Sequence, residues 1–456
     1  MNGPNSSSVA QERTVPAARP SPSRPGADPA RRRLLGALLA VPALATGGLT
    51  GCRAEVADAV DDGPIELSVF WYGTARRAQA TERALRLYSD RNPRVTFRVT
   101  WQGAAGYYDR IATQAAGGNV PDLFQLDDGM LTEYAQRGIA LDLGPYVAGG
   151  RLDLRGLPPG LAAYGTVDGR TVGVPAAQTH PVVVYNRDLL RRLGMPVPTI
   201  MPWAEYLDWA ARVTRASGGR VAGTMDPSGD QRALWLWLRG QGGKFYQGRQ
   251  LGFDSTALVD WFELWQRARL DRATPAAALV DRADSGDPAR QLVVTGHTAA
   301  SFAWSHQLPE LQRHTDDELG LAGFPGPAAA QWDQASMYWA AFQGTRHPAV
   351  VADVLNFLTT SVEVGRILGI ERGLPAAVAV REVVTGALDD PAAKRVAALG
   401  LTLRDLVGPA PAPPPKGHGR VRTLLAASAR TIRNGDAGVR ATTAKFMAQA
   451  QAALAG

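Results

Sequence analysis

The sequence predicts an α/β chain folded as more than one domain. Between residues 64 and 126, strand-like alternation and helical periodicity exchange in the order β–α–β–α–β. That order calls for right-handed crossovers and a parallel sheet. The chain has 456 residues, 45% hydrophobic and 20% charged. Such a composition is globular, and such a length exceeds what one ordinary core holds.

The first fifty residues read as an address. Residues 1–30 are rich in Pro, Ser, Ala and Gly and predict disorder. Arg31-Arg32-Arg33 then precedes an uncharged apolar run from Leu34 to Leu49, 16 residues, short of the roughly 20 that a membrane span needs. Basic residues, a short apolar stretch and then small residues are the layout of an export signal. The paired arginines resemble a twin-arginine signal. The run ends Leu49-Thr50-Gly51-Cys52, which resembles the bacterial lipobox. That resemblance implies cleavage before Cys52, lipidation of its thiol, and a membrane anchor made by burial of acyl chains. Residues 1–51 are then the signal and 52–63 a tether. The protein would sit on the extracellular face of the cytoplasmic membrane. Cys52 is the single cysteine, which excludes an intrachain disulfide, a Cys-rich zinc site and a CxxC redox centre.

The formal charge of +7 taken alone suggests nucleic acid. Residues 1–51, however, hold Arg13, Arg19, Arg24, Arg31, Arg32 and Arg33 against Glu12 and Asp28, so that segment carries +4 and leaves +3 for the rest. No basic block interleaved with aromatics follows, and a nucleic-acid partner is not expected.

Ile65, Leu67, Val69 and Trp71 alternate as a first strand. Ala80, Ala84, Leu87 and Tyr88 recur at helical spacing over 76–90, and Asn92-Pro93 stops that helix. Val95, Phe97, Val99 and Trp101 alternate again, a helix follows over 107–116, and 121–126 reads as a third, buried strand. Open sheets bind ligands beyond the carboxyl ends of their strands. Those ends are Trp71-Tyr72-Gly73, Trp101-Gln102-Gly103 and Asp127-Asp128-Gly129. Flat rings cover the apolar face of a sugar, and carboxylates accept from its hydroxyls. Trp71, Tyr72, Asp127 and Asp128 are therefore candidate ligand residues; each aromatic reads alternatively as the end of a buried strand, Trp101 most of all.

Gly165-Thr166-Val167-Asp168-Gly169-Arg170-Thr171-Val172-Gly173-Val174-Pro175 holds a hairpin turn at Asp168-Gly169, and Tyr185-Asn186-Arg187-Asp188-Leu189-Leu190 follows. Together they resemble the "G-x-x-x-G-K-x-Y-G-V-P … Y-N-K-D-L-L" signature of family 1 extracellular solute-binding proteins, the maltose-binding-protein-like group. Arg170 stands for the usual Lys and Val172 for the usual aromatic. Pro121-Asp122, Ala135 to Leu143, Leu193 to Leu207, Ser301 to Trp304, Phe324 to Pro327 and Gly373 to Ala376 resemble further family stretches in the same order.

The resemblance implies a two-lobed periplasmic-binding-protein-like fold of type II, with a ligand cleft between the lobes. The N-terminal lobe would comprise 64–175 plus 297–340, and the C-terminal lobe 176–296 plus 341–456. Crossings are expected near 175–178, 296–301 and 339–343. It implies a monomer without cofactor or metal, which captures a small molecule, a carbohydrate, for ABC transporter permease subunits. Trp304 matches the family's sugar-stacking tryptophan. Gln178 and His180 sit between hinge and helix, and Asp226 follows a strand-like 221–225. Trp235 and Trp237 lie two apart on a helix, so one can reach the cleft. Tyr338 and Trp339 alternate, so one can face ligand. Arg372 stands before Gly373-Leu374-Pro375 and could fork to hydroxyls or a carboxylate. Trp261 and Trp265, one turn apart, read as core.

Two alternatives remain open. The same fold could bind a peptide, polyamine or organic anion; an anion binder should line its cleft with arginine or a helix N-terminus. The chain could instead be an exported glycan-acting enzyme with paired carboxylates, although it contains no G-x-S-x-G, H-E-x-x-H or G-x-x-x-x-G-K-[ST] motif. The 11 tryptophans favour sugar.

Overall fold

The computed structural model describes residues 63–283 and 287–456. The signal, the lipobox with Cys52 and the tether up to residue 62 lie outside the described residues.

Strand β1 (Ile65–Tyr72) pairs in parallel with β2 (Val95–Gln102), from Ile65 opposite Val95 to Tyr72 opposite Gln102, and with β3 (Leu123–Leu126). Helices α1 (Ala75–Arg91) and α2 (Tyr107–Ala116) make the crossovers. The Thr74 side chain accepts from Arg77 N at 3.2 Å to start α1. Asn92 ends it, ahead of Pro93, which lacks the N–H a helix would need.

Five further strands complete two sheets: β4 (Val174–Thr179), β5 (Pro181–Asn186), β6 (Ala300–Trp304), β7 (Leu319–Gly323) and β8 (Gln334–Ala341). The first sheet runs β2-β1-β3-β8-β4 and the second β6-β5-β7. β8 is antiparallel to both β3 and β4, so the expected parallel arrangement holds for the first three strands and not for the whole sheet. The hairpin at Asp168-Gly169 is present. Both residues have positive φ, 49° and 76°, which a tight two-residue turn of this hand requires. The expected strand over 221–225 is absent. That segment is irregular and makes one bridge, Ala222 to Thr298.

The division between sheets differs from the one read in the sequence. Residues 297–323 were expected in the first lobe, yet β6 and β7 flank β5 in the second. The reason is burial: Val182, Val183 and Val184 are at most 1% exposed, and a strand apolar on both faces needs a neighbour on each edge. Residues 348–368 were expected in the second lobe. They form two helices that instead cover the first sheet.

Helix α3 (Gln231–Gly240) belongs to the second lobe. Helix α4 (Pro348–Thr360) and α5 (Val362–Leu368) follow β8. Val351, Val354 and Leu355 of α4 share one core with Val69, Trp71 and Trp339 of the first sheet. Helix α6 (Pro391–Leu403) packs on β7, and α7 (His418–Asn434) packs on α3. The chain therefore passes between the lobes at His180, between Gly323 and Gln334, and between α5 and α6. Loop 369–374 clips the first passage: Gln178 N donates to Leu374 O at 2.7 Å, and Leu374 N to Gln178 O at 2.9 Å. At Gly373, with φ of 119°, a Cβ would stand 2.4 Å from Gln178 O, so only glycine fits.

Candidate functional site

A cavity of about 750 Å³ opens between the lobes. Tyr72, Asp127 and Asp128 border it from the first lobe, Thr179 and Gln334 from the passages, and Trp304 from the second lobe. A further cavity of about 490 Å³ adjoins it, with Tyr72, Phe302 and Trp304 bordering both.

The strand ends deliver these side chains. Trp304 closes β6, is half-buried, and donates its backbone N–H to Gln307 Oε1 at 2.9 Å. Tyr72 closes β1 and meets Tyr107 and Tyr108 edge-on, at 4.9 and 6.2 Å between centroids. Burial, then the nearby Asp127 carboxylate, pushes its phenol up to about 12. Beyond β3 the backbone N–H of Asp127 donates to Tyr108 Oη at 2.7 Å.

The two aspartates are held differently. Asp128 Oδ2 accepts from Arg232 Nη2 at 2.5 Å and from Gln334 Nε2 at 2.9 Å. Burial opposes its ionisation, but Arg232 and His418 beside it outweigh that and keep its carboxyl below the usual range. Asp127 Oδ2 lies farther from its cation, 3.6 Å from Arg422, and its Oδ1 has no hydrogen-bond partner among the described residues. Burial raises its pKa; Arg422 opposes the shift, and Asp128 adds to it. Both ion pairs join the lobes, since Asp127 and Asp128 follow β3 while Arg232 lies on α3 and Arg422 on α7. The Arg232 guanidinium is also stacked among rings, 4.8 Å from Trp332, 5.3 Å from Trp235 and 5.5 Å from Trp304.

Of the residues named from the sequence, Tyr72, Asp127, Asp128, Asp226 and Trp304 border the cavity. Asp226 is already engaged: its side chain is fully buried, bonded to Arg269 Nη1 at 2.7 Å and to Ser228 N at 2.8 Å. The others lie elsewhere. Trp71 and Trp339 meet edge-on at 6.4 Å inside the first-lobe core, because the pleat turns them away from the rim. Tyr338 points to the opposite face and stacks on Tyr164 at 6.3 Å. Trp235 packs against Phe245 and Trp332, at 5.2 and 5.4 Å. Gln178 is buried against Asp333. His180 is 1% exposed, and its backbone N–H donates to Ser305 Oγ at 3.1 Å. Arg372 is buried over Trp339 and donates to Gln125 Oε1 at 2.7 Å and Thr81 Oγ1 at 2.9 Å.

Arg232, Gln334, Phe302 and Arg422 border the cavity and were not singled out in the sequence. Arg232 carried one local signal, its place two residues after Asp230, whose side chain accepts Arg232 N at 2.7 Å to start α3. Arg422 carried none.

The two-lobed fold is matched by known proteins. The family model for bacterial extracellular solute-binding proteins matches residues 73–363. The chain belongs to that family. Among solved structures, a family 1 solute-binding protein of Alicyclobacillus acidocaldarius is 23% identical with a TM-score of 0.66, covering 86% of this chain and 99% of that one. An oligogalacturonide-binding protein of Yersinia enterocolitica gives 20% and 0.72, covering 86% and 98%. A substrate-binding protein of Listeria monocytogenes in complex with cycloalternan gives 18% and 0.73, covering 85% and 98%. At these identities the likeness establishes the two-lobed fold. Curated relatives from Brucella abortus and Brucella suis are 27% identical over 174 residues, 37% of this chain and only 40% of their own length. No described helix of this solute-binding protein is long and apolar enough to cross a membrane.

Proposed function

We propose that this protein captures a carbohydrate outside the cell, held at the membrane by lipid on Cys52, and delivers it to an ABC permease. The observation that carries the reading is the wall shared by the two cavities. Trp304, Tyr72 and Phe302 stand there beside Asp127, Asp128 and Gln334. Rings cover the C–H face of a sugar while amide and carboxylate groups meet its hydroxyls. Proteins of this fold bind oligogalacturonide and cycloalternan. Rotation of the lobes about the passages would give the permease two shapes to distinguish. Ligand would drive the change only through better contacts in the closed shape.

Calorimetric titration against a panel of mono- and oligosaccharides tests the reading, and absence of binding throughout the panel would reject it. Trp304→Ala is expected to weaken the tightest sugar of the panel by about 1–3 kcal/mol, through lost stacking and burial. An unchanged affinity would remove Trp304 from the site. Cys52→Ser is expected to move the protein from the membrane fraction to the soluble one and to abolish metabolic labelling with palmitate. A labelled variant would refute the anchor.

A further inference from the structure

Building on the carbohydrate reading, we infer that the ligand carries an anionic group, a uronate carboxylate or a phosphate ester, received by arginines on the second-lobe wall of the cleft. Arg232, Arg422, Arg430 and Arg433 all border the 750 Å³ cavity, as does the first turn of α3 at Gln231. Among the described residues, no lysine borders it. Arginine suits planar, multi-pronged recognition of carboxylate or phosphate, whereas a neutral sugar offers guanidinium groups hydrogen-bond acceptors but no countercharge.

The hydrogen-bond inventory is one-sided. Arg232, with its side chain 8% exposed, spends Nη2 on Asp128, and its Nε and Nη1 have no acceptor. Arg433, 4% exposed, spends Nη2 on Asp281, and its Nε has none. Gln231 Nε2 also lacks an acceptor. Among the buried side-chain atoms of the described residues bordering the cavity, the one acceptor without a partner is Asp127 Oδ1, on the first lobe. Buried polar groups without partners are costly and mark where a partner belongs.

Among the described residues, the nearby carboxylates already have partners. Asp226 is sealed on Arg269, Asp128 lies between Arg232 and Gln334, and Asp230 caps α3. Arg430 and Arg433 share the one carboxylate of Asp281, at 3.4 and 2.5 Å. A ligand anion therefore meets donors on this wall, while its hydroxyls meet Asp127 and Gln334 across from it and its ring faces meet Trp304 beside Arg232.

The test is calorimetry on the full chain with matched probes. Glucuronate, galacturonate and their dimers are compared with glucose, galactose and the neutral dimers; glucose 1-phosphate and glycerol 3-phosphate form a third arm. The acidic probes should bind about 10-fold or more tightly than their neutral counterparts, and the advantage should shrink as salt is raised. The arm that wins separates carboxylate from phosphate. Arg422→Gln, at a half-exposed position, should lower the acidic-to-neutral affinity ratio. So should the paired change Arg232→Gln with Asp128→Asn, which leaves no unpaired buried charge. Neutral sugars that bind as tightly as acidic ones would overturn this inference and leave the carbohydrate reading standing. Silence in all three arms would overturn both.

Discussion

Asp128→Ala is expected to destabilise the protein by about 3–5 kcal/mol, because it strands the buried Arg232 cation. The pair is 2.5 Å long, with side chains 8% and 13% exposed. Arg232 sits among Trp235, Trp304 and Trp332, with no other carboxylate bonded to it among the described residues. Its remaining contacts are ring faces, which offset the charge by only about 2 kcal/mol when desolvated. The bridge also spans the cleft, so its loss should have two readouts. The urea midpoint should fall. Small-angle scattering should report a larger radius of gyration, since an ion pair that joins the lobes is gone. Asp128→Asn with Arg232→Gln should recover most of the midpoint, because no charge is left unpaired. An Asp128→Ala protein with an unchanged midpoint would show that water already reaches this pair.

The sequence made the first three strands and two helices legible because each repeats its pattern over several turns or pleats, and nothing in the tertiary structure overrides it. Helix 107–116 was read with the bounds it has. What the sequence hid was the partner of each strand. Ala300–Trp304 alternates weakly, and only the fully buried Val182–Val184 run decides that it joins the second sheet. The same limit explains the site. Tyr72 and the two aspartates were legible because strand ends in open sheets face ligand, and Trp304 only because its stretch resembles the family's. Trp71 and Tyr72 are adjacent, and the pleat sends one to the core and the other to the cleft; that choice depends on which face α1 and α4 cover. Arg232 and Arg422 reach one cavity from helices nearly two hundred residues apart, a convergence no local pattern encodes.

Acidification is expected to remove on the order of several kcal/mol of stability between pH 6.5 and 4, with the buried His180 and His418 among the groups responsible. His180 is 1% exposed and His418 2%. Burial, with Arg381 adding to it, lowers His180 from 6.5 to about 4. Burial also lowers His418, to about 3, with Asp128 opposing and Arg422 and Arg232 adding. Both are therefore neutral in the folded state, while the unfolded chain takes up protons near its ordinary value of about 6.5. The sign follows from linkage: where the unfolded state binds more protons, stability rises with pH. The stabilisation is complete above pH 6.5 and is lost as pH falls toward the folded values, at about 1.4 kcal/mol per pH unit for each histidine. Asp128, held below its usual range, gives up its own contribution only at lower pH, below 3.8, so the two effects occupy separate windows. Urea midpoints measured from pH 7.5 down to 4.5 would expose the slope. His418→Gln should flatten part of it; its Nδ1 lies 2.7 Å from Tyr246 Oη, a contact an amide can replace. A midpoint independent of pH across that range would mean that both imidazoles find protons, and therefore water, in the folded protein.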